Sequence, residues 1–172
     1  MPEVARIASE SKSFERTLQS IFLLRDCGSD AIPALLRVIA VRGDNYRVFA
    51  IMAIPEIQGL GTNGPAVAAA LLTCLKQPDD DGVASAAAGS LGKLALEPNL
   101  VIPALAALAH DNRRDVRLSV IHALGNFGTN TRVVLPYLVA ALQDSDGLVR
   151  SSATNALLTI APEVLTNRLK EF

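Results

Sequence analysis

Apolar residues recur along the chain at helical spacing, in paired segments joined by short polar turns. In one pair the first segment has Ile102, Leu105 and Leu108 every three residues, which predicts a helix buried on one side. The second segment carries a longer apolar stripe, formed by Val116, Val120, Ala123, Leu124 and Phe127. Its spacing of i, i+4, i+7, i+8 and i+11 is typical of a helix with one buried face. The pair therefore predicts a helical hairpin that needs neighbours to cover its stripe.

The hairpin pattern repeats along the chain with a period of 33 residues. Residues 103–128 align without a gap with residues 136–161, and the same shift in the other direction reaches residues 70–95. A copy at 33–58 lies 37 residues further back, with its extra residues in the loop 58–66. We expect one repeat domain over the whole chain, 1–172. Its parts are a partial repeat (1–28), repeats 1 to 4 (about 29–62, 63–98, 99–130 and 131–161) and a C-terminal capping helix (162–172).

Prolines and polar residues predict where these helices begin. Pro103 and Pro136 fit the first turn of the first helix in repeats 3 and 4, where backbone N–H groups lack intrahelical partners. The segment 162–172 begins with a helix-compatible proline, and it could equally be the first helix of a fifth repeat. Candidate N-caps for the second helices are Asn112, Ser145 or Asp146, and Asp79 or Asp80.

The pattern D-x-x-x-x-V-R-x-x-x-x-x-A-L occurs at Asp111–Leu124 and again at Asp144–Leu157. It resembles HEAT-like repeats, in particular the short variety named after phycobilisome lyases, and the resemblance extends over residues 13–161. The resemblance implies an all-α fold, a right-handed α-solenoid (superhelix) of stacked helical hairpins. It also implies a ladder of charges between adjacent repeats, made of Asp111, Arg117, Asp144 and Arg150, with Arg47 as an isolated member. We expect these charges to be structural.

Composition narrows the classes of function. Sixteen Lys and Arg against seventeen Asp and Glu give a net charge of −1, which provides no bulk attraction to nucleic acid or an anionic membrane. The two cysteines, Cys27 and Cys74, are far apart and form no metal or redox motif. The N-terminus has no apolar signal core, and no apolar run reaches the roughly 18 residues of a membrane span. We expect a cytoplasmic protein.

The residue pattern argues against catalysis. His110 and His122 are twelve residues apart with a turn between them, so they do not form the i, i+4 pair of a helix-borne zinc site. Ser119 and His122 are i, i+3 neighbours, but no orienting acid or glycine-rich elbow accompanies them. The loop GLGTNG at 59–64 lacks the Lys-Ser/Thr of a phosphate loop. We therefore expect no enzyme activity, no cofactor and no metal.

In this family the second-helix positions turned away from the buried stripe line a concave face. In repeats 1 and 2 these positions are Val48, Phe49, Met52, Glu56, Ser85, Ala86, Gly89 and Lys93. In repeats 3 and 4 they are Leu118, Ser119, His122, Asn126, Ser151, Ser152, Asn155 and Thr159. One lysine and one glutamate in sixteen positions do not make a track for phosphates, which argues against nucleic acid as the partner.

The concave face instead predicts a protein contact. Val48, Phe49 and Met52 would form an exposed apolar patch if the face is bare, although the N-terminal helix or a neighbouring repeat could cover them. We expect a non-catalytic scaffold that binds a partner protein or peptide there. The alternatives are a nucleic-acid-binding HEAT-like protein and, by resemblance alone, a chromophore lyase or chaperone subunit of the phycobilisome-lyase type. The sequence leaves the partner's identity and the oligomeric state open.

Overall fold

The computed structural model describes residues 19, 21, 23–24, 26–41, 46–77 and 80–169. Within these ranges every regular element is a helix, and none is a β-strand. The chain forms two compact units, Met1–Ser90 and Leu91–Phe172, referred to here as the first and the second unit. The repeat boundaries and the single-domain organisation predicted above stay predictions.

The first unit contains helical hairpins joined by short 3₁₀ turns. Its helices are α1 (Ile32–Ala40), α2 (Arg47–Ala53), α3 (Gly64–Leu75) and the larger part of α4 (Asp81–Leu94). Helix α1 contacts both α2 and α3, so the hairpin stacks on the helix that follows it. Ile21 and Leu24, which belong to the partial repeat, are buried. The hydroxyl of Ser90 on α4 donates to the carbonyl oxygen of Ile51 on α2 at 3.0 Å, which joins the second helices of repeats 1 and 2.

The second unit contains two further hairpins and a C-terminal helix. Its helices are α5 (Pro98–Ala106), α6 (Arg114–Asn126), α7 (Thr131–Ala141), α8 (Gly147–Ile160) and α9 (Pro162–Leu169). First helices contact first helices (α5 with α7), second helices contact second helices (α6 with α8), and α9 contacts α8. The predicted stripe is confirmed, because all five of its residues are buried: Val116, Val120, Ala123, Leu124 and Phe127. Leu108 is only half-buried, because α5 ends two residues before it.

Two prolines do not lie where we predicted. Pro103 and Pro136 lie inside α5 and α7 rather than in the first turn. Each removes one intrahelical hydrogen bond, to the carbonyl four residues earlier. Those carbonyls belong to the exposed Asn99 and Arg132, and both prolines are exposed as well. Water can therefore satisfy the free carbonyls, and the helices continue through the prolines.

Glycines allow second helices to approach each other closely within the second unit, which includes the last turn of α4. A Cβ added to Gly92, in the last turn of α4, would lie 2.5 Å from the Cα of Ala123 on α6. A Cβ added to Gly125 on α6 would lie 2.8 Å from the Cβ of Ala156 on α8. Both distances are too short for real Cβ contacts, so the observed packing requires glycine at these positions.

Candidate functional site

A groove of about 430 Å³ lies along α6 and α8 in the second unit. Its lining consists of His122, Gly125, Asn126, Leu148, Ser151, Ser152, Asn155, Ala156 and Thr159. Six of these residues were predicted for the concave face of repeats 3 and 4: His122, Asn126, Ser151, Ser152, Asn155 and Thr159. The other two predicted residues of these repeats, Leu118 and Ser119, are half-buried on α6 and are not part of the lining.

The repeat register explains why these side chains meet. His122 and Asn155 occupy equivalent positions 33 residues apart on neighbouring second helices, as do Asn126 and Thr159. Gly125 and Ala156, which permit the close approach of α6 and α8, lie between them. The groove therefore has small residues where the two helices meet and polar side chains along both helices.

Gly125, Leu148 and Ala156 also line the groove, although the helical pattern had not been used to predict them. A usable signal was present, because Leu148 precedes Ser151 and Ser152 by three and four residues and so lies on the same helical face. Leu148 is 54% exposed and adds an apolar contact at the beginning of α8.

The polar groups of the groove differ in what they can offer a ligand. The Ser151 hydroxyl donates to the Gly147 carbonyl at 2.9 Å, and the Thr159 hydroxyl donates to the Asn155 carbonyl at 3.0 Å. These hydroxyls therefore present acceptor lone pairs to the groove. The side chains of His122, Asn126 and Asn155 are exposed, and none has a hydrogen-bond partner among the described residues. Together with the hydroxyl of Ser152, which also has no hydrogen-bond partner among the described residues, they provide the free donors of the groove.

The groove carries no permanent charge. No Asp, Glu, Lys or Arg belongs to its lining, and His122 is its one titratable side chain. Electrostatic attraction therefore contributes little to binding there, and hydrogen bonding and shape decide what fits.

The predicted positions of the first unit differ in their exposure. On α2, Phe49 and Met52 are 36% and 56% exposed, and Val48 is half-buried. Glu56 lies in a 3₁₀ turn beyond the end of α2, in a separate hollow of about 620 Å³ that also includes Cys27.

On α4 the predicted residues are also divided. Ser85 and Gly89 are half-buried, and Lys93 is exposed. The Ser85 hydroxyl oxygen is buried without a hydrogen-bond partner in the described part of the chain. Of these three residues, Lys93 is thus the most accessible to a partner.

The predicted charge ladder is present between repeats 3 and 4. Arg117 donates from Nε and Nη2 to the two carboxylate oxygens of Asp144, at 2.8 and 2.9 Å. Its Nη1 donates to the carbonyl oxygens of Asp111 and Asn112, at 3.0 and 3.3 Å. The hydrogen bonds from Arg117 hold the pKa of Asp144 below its usual range. This two-pronged geometry is the strong form of an arginine–carboxylate pair.

The other predicted aspartate of the ladder, Asp111, does not bridge two repeats. Its carboxylate accepts from Nε and Nη2 of Arg113, in its own turn, at 2.8 and 2.9 Å. In the sequence of repeat 2, Ala84 occupies the position equivalent to Arg117, so that repeat lacks the ladder arginine. The hydrogen bond from the Arg113 side chain lowers the pKa of Asp111.

Arg47 is not the isolated member that we predicted. It is 2% exposed, its Nε donates to the Ile39 carbonyl at 2.9 Å, and its Nη2 donates to Gln77 Oε1 at 2.9 Å. Its Nη1 lies 3.7 Å from a carboxylate oxygen of Asp80. Arg47 therefore links repeats 1 and 2 through a buried polar network. Burial raises the pKa of the neighbouring Cys74 thiol, although Arg47 opposes the shift.

The turn residues divide between capping and other roles. Asp146 caps α8 by accepting from two backbone N–H groups, and Asp80 accepts from a backbone N–H at the start of α4. The prediction of Asn112 as N-cap is wrong, because Arg113 occupies that position of α6 without a side-chain cap. Asp111 accepts the backbone N–H of Arg113 instead, at 2.8 Å.

No helix in the described ranges is long and apolar enough to cross a membrane. No group of three or more His, Cys, Asp and Glu side chains in those ranges is arranged to hold a metal ion.

The fold and the ladder define a class of protein. Residues 90–158 match the family model of HEAT repeats, which confirms the resemblance inferred from the repeated aspartate and arginine. The described part of the chain is all-α and has the fold of armadillo and HEAT solenoids. No curated protein matches it.

Solved structures show the same fold. The chain is similar to the complex of CpcE and CpcF of phycocyanin lyase from Nostoc sp. PCC7120, with 24% identity and a TM-score of 0.74 over 98% of this chain and 68% of that chain. It is similar to a designed armadillo repeat protein in complex with the peptide (KR)4, with 16% identity and a TM-score of 0.65 over 91% of this chain and 80% of that chain. It is also similar to Kap121p bound to Ste12p, with 18% identity and a TM-score of 0.69 over 98% of this chain and 20% of that chain.

Proposed function

We propose that this protein is a non-catalytic scaffold whose α6–α8 groove holds an extended, uncharged segment of a partner protein. The observation that carries the proposal is the set of unpartnered polar side chains in the groove, His122, Asn126 and Asn155. An asparagine amide both donates and accepts, which matches the alternating N–H and C=O groups of an extended peptide backbone.

The shape of the groove supports a peptide as the ligand. Gly125 and Ala156 leave room for a main chain to come close to the helices, and the exposed Leu148 offers an apolar contact. A partner must replace the water that hydrates the amides of Asn126 and Asn155, because an unsatisfied polar group costs free energy on burial.

The neutral lining determines the expected class of peptide. The designed armadillo protein among the similar structures is in complex with a peptide of alternating lysine and arginine. The groove here has no carboxylate to pair with such cations. We therefore expect a segment rich in small and neutral polar residues, and we expect its affinity to change little with salt.

Peptide selection followed by titration tests the proposal. Peptides of about twelve residues would be selected from a random library on the whole protein, and their affinities measured by fluorescence anisotropy with (KR)4 for comparison. Asn126→Ala and Asn155→Ala should each weaken a selected neutral peptide roughly tenfold, the equivalent of about 1.4 kcal/mol for one hydrogen-bonding group.

Thr154→Ala is the matched control, because Thr154 lies on α8 outside the groove and its hydroxyl donates to the Arg150 carbonyl of its own helix. This variant should bind like the wild type. Selected peptides that bind both asparagine variants as tightly as the wild type would refute the groove as the binding site.

The likeness to the phycocyanin lyase complex supports a second candidate, a lyase or chaperone subunit. For this candidate the ligand of the groove is a chromophore or the protein that carries it. Purification from a pigment-producing host, followed by an absorbance spectrum, separates the two. A visible band that co-purifies with the wild type and is lost in Asn155→Ala favours the lyase-type role.

A further inference from the structure

The ladder arginines of repeats 3 and 4 are held in the same way by their own turns. Arg150 occupies the position of Arg117, 33 residues later. Its Nη1 donates to the carbonyl oxygens of Asp144 and Ser145, at 2.7 and 2.9 Å. Arg117 makes the two equivalent bonds to its own turn. In both arginines these bonds fix the Nη1 group of the guanidinium and leave Nε and Nη2 available to donate to another acceptor.

The two arginines differ in what that second edge contacts. In Arg117 the Nε and Nη2 groups donate to the carboxylate of Asp144. In Arg150, which is exposed, these groups have no hydrogen-bond acceptor among the described residues. We infer that Arg150 is a preformed binding site for a carboxylate, an aspartate or glutamate on a turn of a partner protein.

The aspartates near Arg150 do not argue against this assignment. Asp144, in the same turn, is already held by Arg117, and Asp146 accepts from backbone N–H groups and from Arg114. Arg117 likewise has an aspartate in its own turn and still binds a second carboxylate from the next repeat. The arrangement at Arg150 is therefore compatible with an incoming carboxylate.

The surrounding face of α8 indicates what kind of partner fits. On α6 the positions i, i+4 and i+8 are Arg117, Ile121 and Gly125, and Ile121 is fully buried. On α8 the same positions are Arg150, Thr154 and Leu158, and Leu158 is 56% exposed.

Leu158 on α8 occupies the position of Gly125 on α6, and its side chain keeps a partner helix farther from α8 than α8 lies from α6. Because Leu158 is exposed, we expect the partner to place its carboxylate on Arg150 and to rest an apolar side chain against Leu158. Arg150 and Leu158 do not line the groove, so this site does not depend on the proposed peptide binding.

Nuclear magnetic resonance of the arginine side chains tests the site in the full-length protein. The probe is N-acetylaspartate N-methylamide, titrated at constant ionic strength, and the readout is the Nε–Hε resonance of Arg150, assigned by its loss in Arg150→Lys. The resonance should move towards that of Arg117 in a saturable way. The apparent association constant should be roughly tenfold higher than at Arg132, an exposed arginine with no hydrogen bond in the described structure.

Several results would overturn the inference. The first is an Nε–Hε resonance of Arg150 that shifts no more than that of Arg132. The second is an Arg150 resonance that already lies at the position of Arg117 before the titration. The third is a shift of equal size with N-acetylasparagine N-methylamide, which has no carboxylate. The backbone amides of residues 144–148 provide a second readout, and their shifts should weaken at least threefold in Arg150→Lys. Shifts as large in Arg150→Lys as in the wild type would show that a positive charge is enough to attract the carboxylate. They would refute a carboxylate bound by both Nε and Nη2 of Arg150.

Discussion

Two glycines of the same helix should respond in opposite ways to substitution by alanine. Gly92 and Gly89 both lie in α4, three residues apart. A Cβ at Gly92 would lie 2.5 Å from the Cα and 2.7 Å from the Cβ of Ala123, whereas a Cβ at Gly89 would meet nothing within 4 Å. Because both variants replace a helical glycine by alanine, the difference between their free energies of unfolding measures the cost of the close contact at Gly92.

The magnitude follows from two opposing effects. Alanine in a helix interior is about 1 kcal/mol more favourable than glycine, so Gly89→Ala should raise the free energy of unfolding by up to that amount. Gly92→Ala gains the same amount but forces α4 and α6 apart, and such overpacking typically costs about 1–3 kcal/mol. The obstacle is a backbone atom, which cannot rotate away. We therefore expect Gly92→Ala to be less stable than Gly89→Ala by about 1–3 kcal/mol.

Urea unfolding monitored by circular dichroism measures both variants under the same conditions. A difference of this size should also lower the melting temperature of Gly92→Ala relative to Gly89→Ala by several degrees, at roughly 2–4 °C per kcal/mol for a chain of this length. Equal stability of the two variants would show that the helices can separate without cost, and would refute the argument from close approach.

Three further predictions concern the turns of the second unit. Arg117→Ala should lower the free energy of unfolding by about 1–3 kcal/mol in urea titrations, because it leaves the half-buried Asp144 without its partner, whereas the exposed Arg132→Ala should change it little. An unchanged midpoint for Arg117→Ala would exclude a structural ladder. Pairing with Arg117 lowers the pKa of Asp144 in the folded state. The pair therefore stabilises the protein fully above the pKa of Asp144 in the unfolded chain, about 3.9, and this stabilisation is lost as the pH falls through the pKa in the folded state. Stability measured from pH 7 to 2 should thus fall less steeply in Arg117→Ala, and an identical pH profile would contradict the assignment. Asp146→Ala should lower the melting temperature through loss of the α8 cap and of the ion pair with Arg114, whereas Ser145→Ala, whose side chain makes no cap hydrogen bond, should leave it unchanged in thermal unfolding followed by circular dichroism.

The buried face of each helix could be predicted from the sequence alone. A helix that packs on one side must repeat its apolar residues with the helical period, so the stripe that includes Val116 and Leu124 was readable without a structure. The ladder that includes Arg117 and Asp144 followed from the resemblance to HEAT-like repeats. That resemblance, together with the helical register, also identified six residues of the groove, because equivalent positions of stacked repeats face the same way.

The contacts that the sequence did not predict depend on which residue occupies the neighbouring repeat. Asp111 accepts from Arg113 of its own turn, a pairing that the repeat pattern does not predict. Arg47 donates to the buried Cys74 and to Gln77, which follow it in repeat 2. Repeats 1 and 2 are separated by 37 residues instead of 33, so the repeat period did not predict these contacts. Periodicity determines the direction of a side chain, but its partner depends on the distance between two helices, which only the packed structure decides.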